Sequence, residues 1–433
     1  MRWAAALAAA GLLVGCEGSL PPKIQGTRVS VMSLERTLEP DPGMRELRVR
    51  LPRPHRNPDW PQAGGYPNHA LHHLEAEGPL ALLWRADAGA GSSSERRLLS
   101  GPVVAEGRLF TLDAEAMVTA FDAGNGARLW RRSLVPAGER ADAGYGGGLA
   151  VEDGRLYVAT GFGDVWAMDA GNGAVHYRRS IGIPFRAAPT VSGDRLFVIS
   201  YDNQLHALAA ADGRTLWTHN GIAEDAGLLA SSAAAADAGI VVAPYSSGEL
   251  VAIRVENGRV AWADSLVARG RFSPVETLAA IAGRPVIDRG RVYAVSHGGQ
   301  LVAIDLRSGS QVWDQPIAAI RTPWVAGDYL YLVTLDSEVV CLSRQDGRVR
   351  WVQPLVRWVD DRRKVDRVIW TGPLLASDRL IVASSQGVAL SISPYTGEVL
   401  GQIQLPDGVS IPPIVADGMM YVLTDDARVF AYK

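Results

Sequence analysis

A glycine–aromatic repeat runs through the chain from residue 81 onward and limits the possible folds more than any other feature. In each copy a small residue stands six positions before a glycine, and an aromatic residue stands four positions after it. Successive glycines are roughly 40 to 50 residues apart, a period that suits four short strands per unit. The glycines and aromatic residues of the six clear copies are Gly126 and Trp130, Gly173 and Tyr177, Gly213 and Trp217, Gly258 and Trp262, Gly309 and Trp313, and Gly347 and Trp351, and a degenerate copy contains Gly397.

Each copy also contains β-rich runs separated by turn residues. In the first copy, residues 108–112 and 117–121 are such runs, and the turns between and after them are rich in Asp, Ala and Gly. The same order recurs in the later copies. Short antiparallel strands joined by tight turns at this period predict the blades of a β-propeller and exclude a solenoid of helix pairs.

The two ends of the chain predict how the ring closes. Residues 418–433 supply two inner strands but no final strand, whereas residues 81–85 resemble a final strand without the rest of its blade. Pairing the two completes an eighth blade and removes the open sheet edge at the seam. We therefore predict an all-β fold over residues 81–433, an eight-bladed β-propeller with four-stranded antiparallel blades, closed by an N-terminal strand that completes the C-terminal blade.

Residues 1–15 are predicted to be a signal peptide. A basic start is followed by an apolar stretch over residues 3–14, which is too short to span a bilayer. This stretch leads into Leu-Val-Gly-Cys16, which resembles the lipobox of bacterial lipoproteins and implies lipidation of Cys16. Glu17 follows the cysteine in place of aspartate, which for such lipoproteins implies transfer to the outer membrane. The alternative is an ordinary signal peptide with a chance cysteine.

Residues 16–80 are predicted to form a proline-rich tether with a partly docked end. The many prolines interrupt any helix or strand pattern in this stretch. His69, His72 and His73 are close in sequence, but no fourth ligand stands at a defined spacing from them. We interpret them as solvated linker histidines and predict no metal site.

Composition and residue placement exclude several classes of function. A net charge of −3 argues against nucleic-acid binding. Cys16 and Cys341 are too few for a disulfide framework or a four-thiolate zinc site, and Cys341 occupies the small, buried position of the repeat. Asp122, Asp169 and Asp305 recur at a turn where an aspartate accepts backbone N–H bonds, so we interpret them as structural.

The glycine–aromatic repeat resembles the repeat of pyrroloquinoline-quinone propellers. Residues 59–65 (DWPQAGG) also resemble the beginning of these propellers, in both their enzymatic and their non-enzymatic branches. The enzymes carry adjacent cysteines beside the cofactor, a calcium site and a catalytic aspartate, and this chain has no adjacent cysteines. The lipobox, the proline-rich tether and a propeller without the enzymes' insertions together resemble the BamB family of outer-membrane assembly lipoproteins.

The resemblance to the BamB family implies a non-catalytic scaffold without a cofactor, lipid-anchored at the periplasmic side of the outer membrane. Its implied partners are the insertase subunit of the β-barrel assembly machine (BamA-like) and unfolded outer-membrane proteins, with the chain a monomer within the complex. The alternative is a propeller that binds a quinone (PQQ) or another small ligand and has a redox-related role.

The BamB resemblance also implies candidate partner contacts in two loops. In that family the insertase contact uses a Leu/Arg cluster before blade 4 and an acidic pair before blade 5. By repeat position the first falls at Leu228 and Leu229 and the second near residues 280–282. Leu228 matches, whereas Leu229 replaces the arginine and alanines replace the acids. An apolar anchor at Leu228 and Leu229 is the prediction, and packing of both leucines beneath the loop is the alternative.

A third candidate is the charged loop between the sixth and seventh blades. Residues 357–367 contain eight charged residues of both signs, flanked by tryptophans. The functional interpretation is a partner-docking loop that includes Trp358, Arg362 and Arg363. The alternative is a solvated face, which is the usual role of such mixed-sign runs.

Overall fold

Strands alternate with tight turns along the chain and assemble into separate four-stranded sheets. The computed structural model describes residues 38–44, 47–76, 78–223, 232–267 and 279–433. Within these residues the strands form eight antiparallel four-stranded sheets and one two-stranded hairpin. The innermost strands of successive sheets contact one another, so the sheets are arranged as the blades of a propeller. The prediction of an all-β, eight-bladed propeller is confirmed.

The first four blades each take their strands from one stretch of chain, here given from the propeller axis outward. Blade 1 comprises Val103–Ala105, Arg108–Leu112, Met117–Asp122 and Arg128–Ser133. Blade 2 comprises Gly147–Glu152, Arg155–Thr160, Asp164–Asp169 and Val175–Ser180, and the short 3₁₀ helix Ala141–Ala143 precedes it. Blade 3 comprises Thr190–Ser192, Arg195–Ile199, Gln204–Ala209 and Thr215–Asn220. Blade 4 comprises Ala235–Asp237, Ile240–Pro244, Glu249–Arg254 and Val260–Ser265.

The remaining blades follow the same order until the ring closes. Blade 5 comprises Val286–Asp288, Arg291–Val295, Leu301–Asp305 and Gln311–Gln315. Blade 6 comprises Trp324–Ala326, Tyr329–Val333, Glu338–Ser343 and Val349–Pro354. The hairpin Trp358–Asp360 and Val365–Arg367 precedes blade 7, which comprises Trp370–Ala376, Arg379–Ser384, Val388–Ile392 and Val399–Gln404. Blade 8 comprises Ile414–Ala416, Met419–Leu423, Arg428–Tyr432 and, from the other end of the chain, Leu82–Asp87.

The three inner strands of a blade are largely buried, whereas its outermost strand is largely exposed. In blade 1, four of the five residues of Arg108–Leu112 are buried, but none of Arg128–Ser133 is. The inner strands are covered on both faces because each blade packs between two others. This is why they appear in the sequence as nearly continuous apolar runs instead of strictly alternating ones.

The ring closes through the strand Leu82–Asp87, which pairs antiparallel with Arg428–Tyr432. Two backbone hydrogen bonds between Ala81 and Lys433, of 2.7 and 3.0 Å, extend this pairing beyond the strands. Closure by an N-terminal strand in the C-terminal blade is therefore confirmed.

The repeat residues form a ladder of contacts between neighbouring blades. At seven junctions an aromatic side chain on an outermost strand lies against the glycine turn of the next blade, where an added Cβ would come within 2.5 to 2.9 Å of it. The pairs are Trp84 with Gly126, Trp130 with Gly173, Tyr177 with Gly213, Trp217 with Gly258, Trp262 with Gly309, Trp313 with Gly347, and Trp351 with Gly397. The indole or phenol group also donates a hydrogen bond to a carbonyl of that blade. The glycine of one copy thus contacts the aromatic residue of the preceding blade.

Residues 41–51 extend along blade 6, apart from residues 45–46, which lie outside the described residues. The Asp41 N–H donates to the Val349 carbonyl at 2.8 Å, and Arg350 Nε donates to the Leu47 carbonyl at 2.9 Å. Met44 is buried at this contact. The described part of the predicted tether is therefore docked more extensively than the sequence suggested, and the division at residue 80 stays a sequence-based prediction.

Residues 55–76 form a plug that contacts every blade in turn around the propeller axis. Hydrogen bonds join it to the innermost strands of the eight blades, beginning at blade 8 and ending at blade 7. The bonded pairs are Asn57 with Val415, Trp60 with Val104, Pro61 with Val151, Gln62 with Val191, Pro67 with Ala236, Asn68 with Ile287, His72 with Trp324, and Leu74 with Leu375. Since the innermost strands line the axis, the plug lies across the central channel.

The plug buries two histidines that were predicted to be solvated in a linker. His69 and His73 are only 5% and 1% exposed. His69 Nδ1 donates to the Pro285 carbonyl at 2.7 Å. His73 Nδ1 donates to the Pro52 carbonyl at 2.7 Å, while its Nε2 accepts the Asp378 N–H at 2.9 Å. The solvated interpretation is wrong for both residues because most of these bonding partners come from distant blades, which no local pattern reveals.

Candidate functional site

The hairpin between blades 6 and 7 is fixed at its base. The guanidinium groups of Arg357 and Arg367 donate to the carbonyls of Asp336 and Leu335, which lie in a turn of blade 6. On the other side, Trp370 Nε1 donates to the Val356 carbonyl at 2.8 Å. These bonds hold the hairpin in one orientation relative to both blades.

The tip of the hairpin presents apolar and charged side chains together. Val359 and Val365 are 55% and 47% exposed, and Arg362 and Arg363 are exposed at the turn. Asp360 Oδ1 accepts the N–H groups of both arginines at 3.0 and 3.1 Å, which fixes the turn. Arg363 also pairs with the Asp360 carboxylate at 3.4 Å, whereas Arg362 makes no ion pair with the described residues.

Trp358, at the start of the hairpin, is half-buried, and its backbone pairs with Arg367 across the two strands. The structure therefore brings the three sequence-predicted residues Trp358, Arg362 and Arg363 into one projecting element. A rigid projection with valines beside cations is suited to contact with a protein partner, because little ordering entropy is lost on binding.

The other predicted partner loops have different outcomes. Leu228 and Leu229 lie outside the described residues, as does Cys16. The alanines at which the resemblance would place an acidic pair differ in exposure: Ala280 is 3% exposed, whereas Ala282 is half-buried. Ala280 therefore offers no surface to a partner, and Ala282 is only partly accessible.

A pocket lies where the plug meets the central channel. Its walls include the aromatic side chains of Trp60 and Trp324, the aliphatic Leu71 and Ile411, and one cation, Arg284, around a cavity of about 60 Å³. The Nε atom of Arg284 is buried and has no hydrogen-bond partner among the described residues. The pocket is therefore mainly apolar with a single positively charged wall.

A second arginine raises the positive charge of this region. Burial lowers the pKa of Arg284 to about 10. Burial, followed by the charge of Arg284, lowers the pKa of Arg321 to about 10, and the Asp425 carboxylate opposes this lowering. Burial, followed by the charge of Arg284, also lowers the pKa of His69 to about 3. The sequence pattern did not single out either arginine.

A buried ion pair connects blades 5 and 6 beneath the plug. The Arg344 guanidinium lies 2.5 Å from Asp288 Oδ2, and His72 Nε2 lies 3.3 Å from Asp288 Oδ1. Burial raises the pKa of Asp288, but the hydrogen bond from His72 and the charges of Arg344 and Arg289 outweigh it and hold that pKa below its ordinary value. The negative charge of Asp288 is thus compensated by its neighbours, and we assign the cluster a structural role.

The residues suspected of chemistry in the related enzymes have structural environments here. Cys341 is fully buried opposite Trp351, and burial raises the pKa of its thiol. Asp122 Oδ1 accepts the N–H groups of Gly124 and Asn125 in its turn. Across the described residues, no group of three or more His, Cys, Asp or Glu side chains is arranged to hold a metal ion. None of the helices in the same residues has the length and apolar character needed to cross a membrane.

Structural comparison finds similar propellers among both the enzymes and the non-enzymatic assembly factors. BamB from Moraxella catarrhalis superposes with a TM-score of 0.66 at 17% identity, over 82% of this chain and 98% of that one. Quinohemoprotein alcohol dehydrogenase from Comamonas testosteroni gives the same TM-score at 13% identity, over 87% of this chain and 81% of that one. At these identities the likeness shows the fold alone.

Sequence comparison distinguishes the enzymatic from the non-enzymatic propellers. The relative from Shewanella oneidensis, an outer membrane protein assembly factor BamB, is 26% identical over 350 residues, which are 78% of this chain and 85% of the relative. The protein of that name from Escherichia coli K12 is 26% identical over 45% of this chain and 47% of its own length. The family model described as outer membrane protein assembly factor BamB matches residues 75–141, 114–353 and 358–433. Because this match extends over nearly the whole propeller, the chain belongs to the BamB family of outer membrane protein assembly factors.

Proposed function

We propose that this protein is a non-catalytic scaffold lipoprotein of the outer-membrane β-barrel assembly machinery. In this role it binds the insertase subunit at the periplasmic side of the outer membrane and assists the insertion of unfolded outer-membrane proteins. The observation that carries the proposal is the family match along nearly the whole propeller. The closed ring and the plug support it, because a rigid body positions its partners at little entropic cost.

A non-catalytic role is supported by where the chain places its reactive side chains. The enzymes of the superfamily use a cysteine pair, but here Cys341 is buried and stands alone in the propeller. The recurrent turn aspartates use their carboxylates to hold backbone N–H groups, which leaves them poorly placed as general bases.

The hairpin is the partner contact that the described geometry supports best. Its tip combines exposed valines with Arg362 and Arg363, while its base is held by both neighbouring blades. The insertase surface that it contacts should therefore be partly apolar and carry acidic groups.

The test is an affinity purification of the lipidated protein from its native envelope in detergent, with partners identified by mass spectrometry. Wild type should recover a β-barrel insertase, and Arg362→Glu/Arg363→Glu should lower that recovery by about tenfold or more. Arg131→Glu/Arg132→Glu, on the exposed outer strand of blade 1, is the matched control and should behave as wild type. Absence of an insertase from the wild-type sample contradicts the scaffold role, whereas full recovery with the hairpin variant contradicts only the hairpin contact.

The leucine pair is a separate sequence-based proposal that the same assay tests. Leu228→Asp/Leu229→Asp should abolish insertase recovery without changing thermal unfolding if these leucines anchor the partner. Equal loss of stability and of binding means that the leucines pack beneath their loop.

Anchoring through Cys16 likewise remains a proposal from the lipobox resemblance. Cys16→Ser should release the protein from the membrane fraction, because acyl chains contribute about 0.8 kcal/mol per buried CH₂ to membrane binding. Unchanged fractionation of this variant rules out lipidation at Cys16 as the anchor.

The central pocket favours one second candidate function, the binding of a small carboxylate, because a cavity of about 60 Å³ is too small for the fused rings of a quinone such as PQQ. The unpartnered Nε of Arg284 is the observation that supports it. Calorimetric titration with acetate should then give saturable binding that Arg284→Gln weakens by about tenfold. If no heat of binding is seen, or if the variant binds equally well, this candidate is wrong.

A further inference from the structure

The aromatic ladder is interrupted at the junction between blades 7 and 8. In blade 1, Trp130 lies opposite Ala120, and in blade 6 Trp351 lies opposite Cys341. The corresponding pair in blade 7 is Gly401 opposite Ser391. The residue that should carry the eighth aromatic side chain is therefore a glycine.

A second aromatic side chain is missing from the same place. In blade 6, Tyr331 packs on Trp351 with ring centroids 5.9 Å apart, and Phe110 packs on Trp130 in the same way in blade 1. By register, the residue of blade 7 that corresponds to Tyr331 is Ile381. The loss of both rings removes side-chain volume from one layer of blade 7.

Nothing in the described residues fills the space that results. A Cβ added to Gly401 would meet no described atom within 4 Å, unlike one added to the ladder glycines. A cavity of about 230 Å³ opens here, and its walls include Leu80, Ile381, Leu390, Leu400 and Met420. An apolar protein cavity of about 150 Å³ is enough to hold a benzene ring.

Blade 8, which packs against blade 7 at this junction, differs from the blades at the other seven junctions because the ring closes within it. Elsewhere a glycine turn joins the third and fourth strands of the receiving blade, but in blade 8 these strands belong to the two ends of the propeller chain. Pro79 and Leu80 stand beside the seam and line the cavity in place of that turn. The cavity is therefore open at the outer surface, where Leu400 is 56% exposed.

One wall of the cavity is cationic and already held in place. Arg379 lines the cavity, and its guanidinium donates to the carbonyls of Ala76 and Gly78 at 2.7 and 3.2 Å. A fixed guanidinium beside an apolar slot complements the negative face of an aromatic ring.

We propose that this seam cavity is a docking site for an aromatic side chain carried on an extended segment of a protein partner. The molecule itself indicates the occupant, since seven equivalent positions are filled by an indole or phenol group that arrives on a β-strand. The adjacent strand Val399–Gln404 is the outermost of its blade, so an approaching extended segment can lie along its edge. This site is distinct from the insertase contact at the hairpin, and the two proposals fail independently.

The test uses the full-length protein and a fluorescein-labelled peptide of alternating threonine and valine with one central tryptophan. We expect saturable binding by fluorescence anisotropy, at least about tenfold tighter than for the same peptide with alanine in place of tryptophan. Gly401→Trp places an indole in the cavity from the protein's own strand and should remove the preference for tryptophan. Gln404→Trp, on the same strand but outside the cavity walls, is the matched control and should keep it.

Thermal unfolding accompanies each binding measurement. Gly401→Trp should unfold at the wild-type temperature or above, because it restores the aromatic ladder. If this variant fails to fold, Ile381→Tyr is used in its place, since it fills the cavity from the inner strand. Equal binding of the two peptides, no binding to wild type, or full binding to the filled variant overturns the proposal. Competition by free N-acetyltryptophanamide as effective as that of the peptide also overturns it, since the cavity then accepts a small aromatic molecule instead of a strand.

Discussion

Trp84 lies against Gly126, so that a Cβ added to this glycine would come 2.5 Å from the indole Cε3 atom. The indole Nε1 donates to the Ala123 carbonyl at 3.1 Å, in the same turn of blade 1. The backbone of Trp84 meanwhile pairs with Ala431 in the C-terminal strand. One residue thus joins the two chain ends within blade 8 and fastens that blade to blade 1.

Trp84→Ala should therefore destabilise the propeller by about 3–5 kcal/mol, since it removes a buried ring and the bond to Ala123. Leu83→Ala is the control on the same strand, because Leu83 is 52% exposed and should change the free energy of unfolding by less than about 0.5 kcal/mol. Urea unfolding followed by circular dichroism measures both. A similar stability of the two variants would mean that Trp84 does not hold the seam closed.

Gln62→Ala tests the attachment of the plug. The Gln62 side chain is buried, donates to the Val191 carbonyl at 2.9 Å and accepts the Val191 N–H at 2.8 Å. Removing it leaves two buried backbone groups without partners, which should cost about 2–4 kcal/mol. Hydrogen exchange should also accelerate at Trp60 and Val104, while exposed Gln311→Ala leaves stability and exchange unchanged. Unaltered exchange in the plug would show that this side chain does not hold it.

The propeller could be predicted from the sequence because its determinants are local and repeated. A glycine such as Gly126, with φ of +76°, and an aromatic residue four positions later leave the same signature in each copy, even though they contact different blades. The turn aspartates are equally local, since Asp169 bonds the N–H groups of Gly171 and Asn172.

The plug and the central pocket could not be predicted in the same way. The plug is bonded to successive blades along its length, so its residues do not share a repeated environment and the stretch shows no period. His69 is buried by Pro285 and Arg284, more than 200 positions away in sequence. The sequence already showed that the last repeat copy is degenerate. Only the packing of blades 7 and 8 reveals that Gly401 leaves an open cavity there.

Arg344→Met should destabilise the protein by about 3–5 kcal/mol near neutral pH, because it leaves the buried Asp288 carboxylate without its main counter-charge. The pKa of Asp288 lies below its ordinary value of 3.8 in the wild type, so its contribution to stability is present above that value and lost as the pH falls through the folded-state pKa. In the variant that pKa should rise, and the stability deficit should shrink as the pH falls towards 4. The double variant Arg344→Met/Asp288→Asn should recover part of the loss at neutral pH. A deficit that is independent of pH, with no recovery in the double variant, would contradict this account.

His69→Asn should reduce the sensitivity of the protein to mild acid. Burial, and then the charge of Arg284, lowers the pKa of His69 from 6.5 to about 3, so the unfolded chain binds a proton below pH 6.5 while the folded protein does not. Stability therefore falls as the pH decreases through this range, by about 1.4 kcal/mol per pH unit from this residue alone.

Asparagine keeps a donor for the Pro285 carbonyl and tolerates the φ of +59° at this position, but it does not titrate. Urea unfolding at pH 7.5 and pH 5.0 should show a smaller loss of stability for His69→Asn than for wild type, by about 2 kcal/mol. His176→Asn, at an exposed histidine, should retain the wild-type pH dependence. If His69→Asn and wild type lose the same stability between these two pH values, His69 is protonated in the folded protein, and the plug then accommodates a charge beside Arg284.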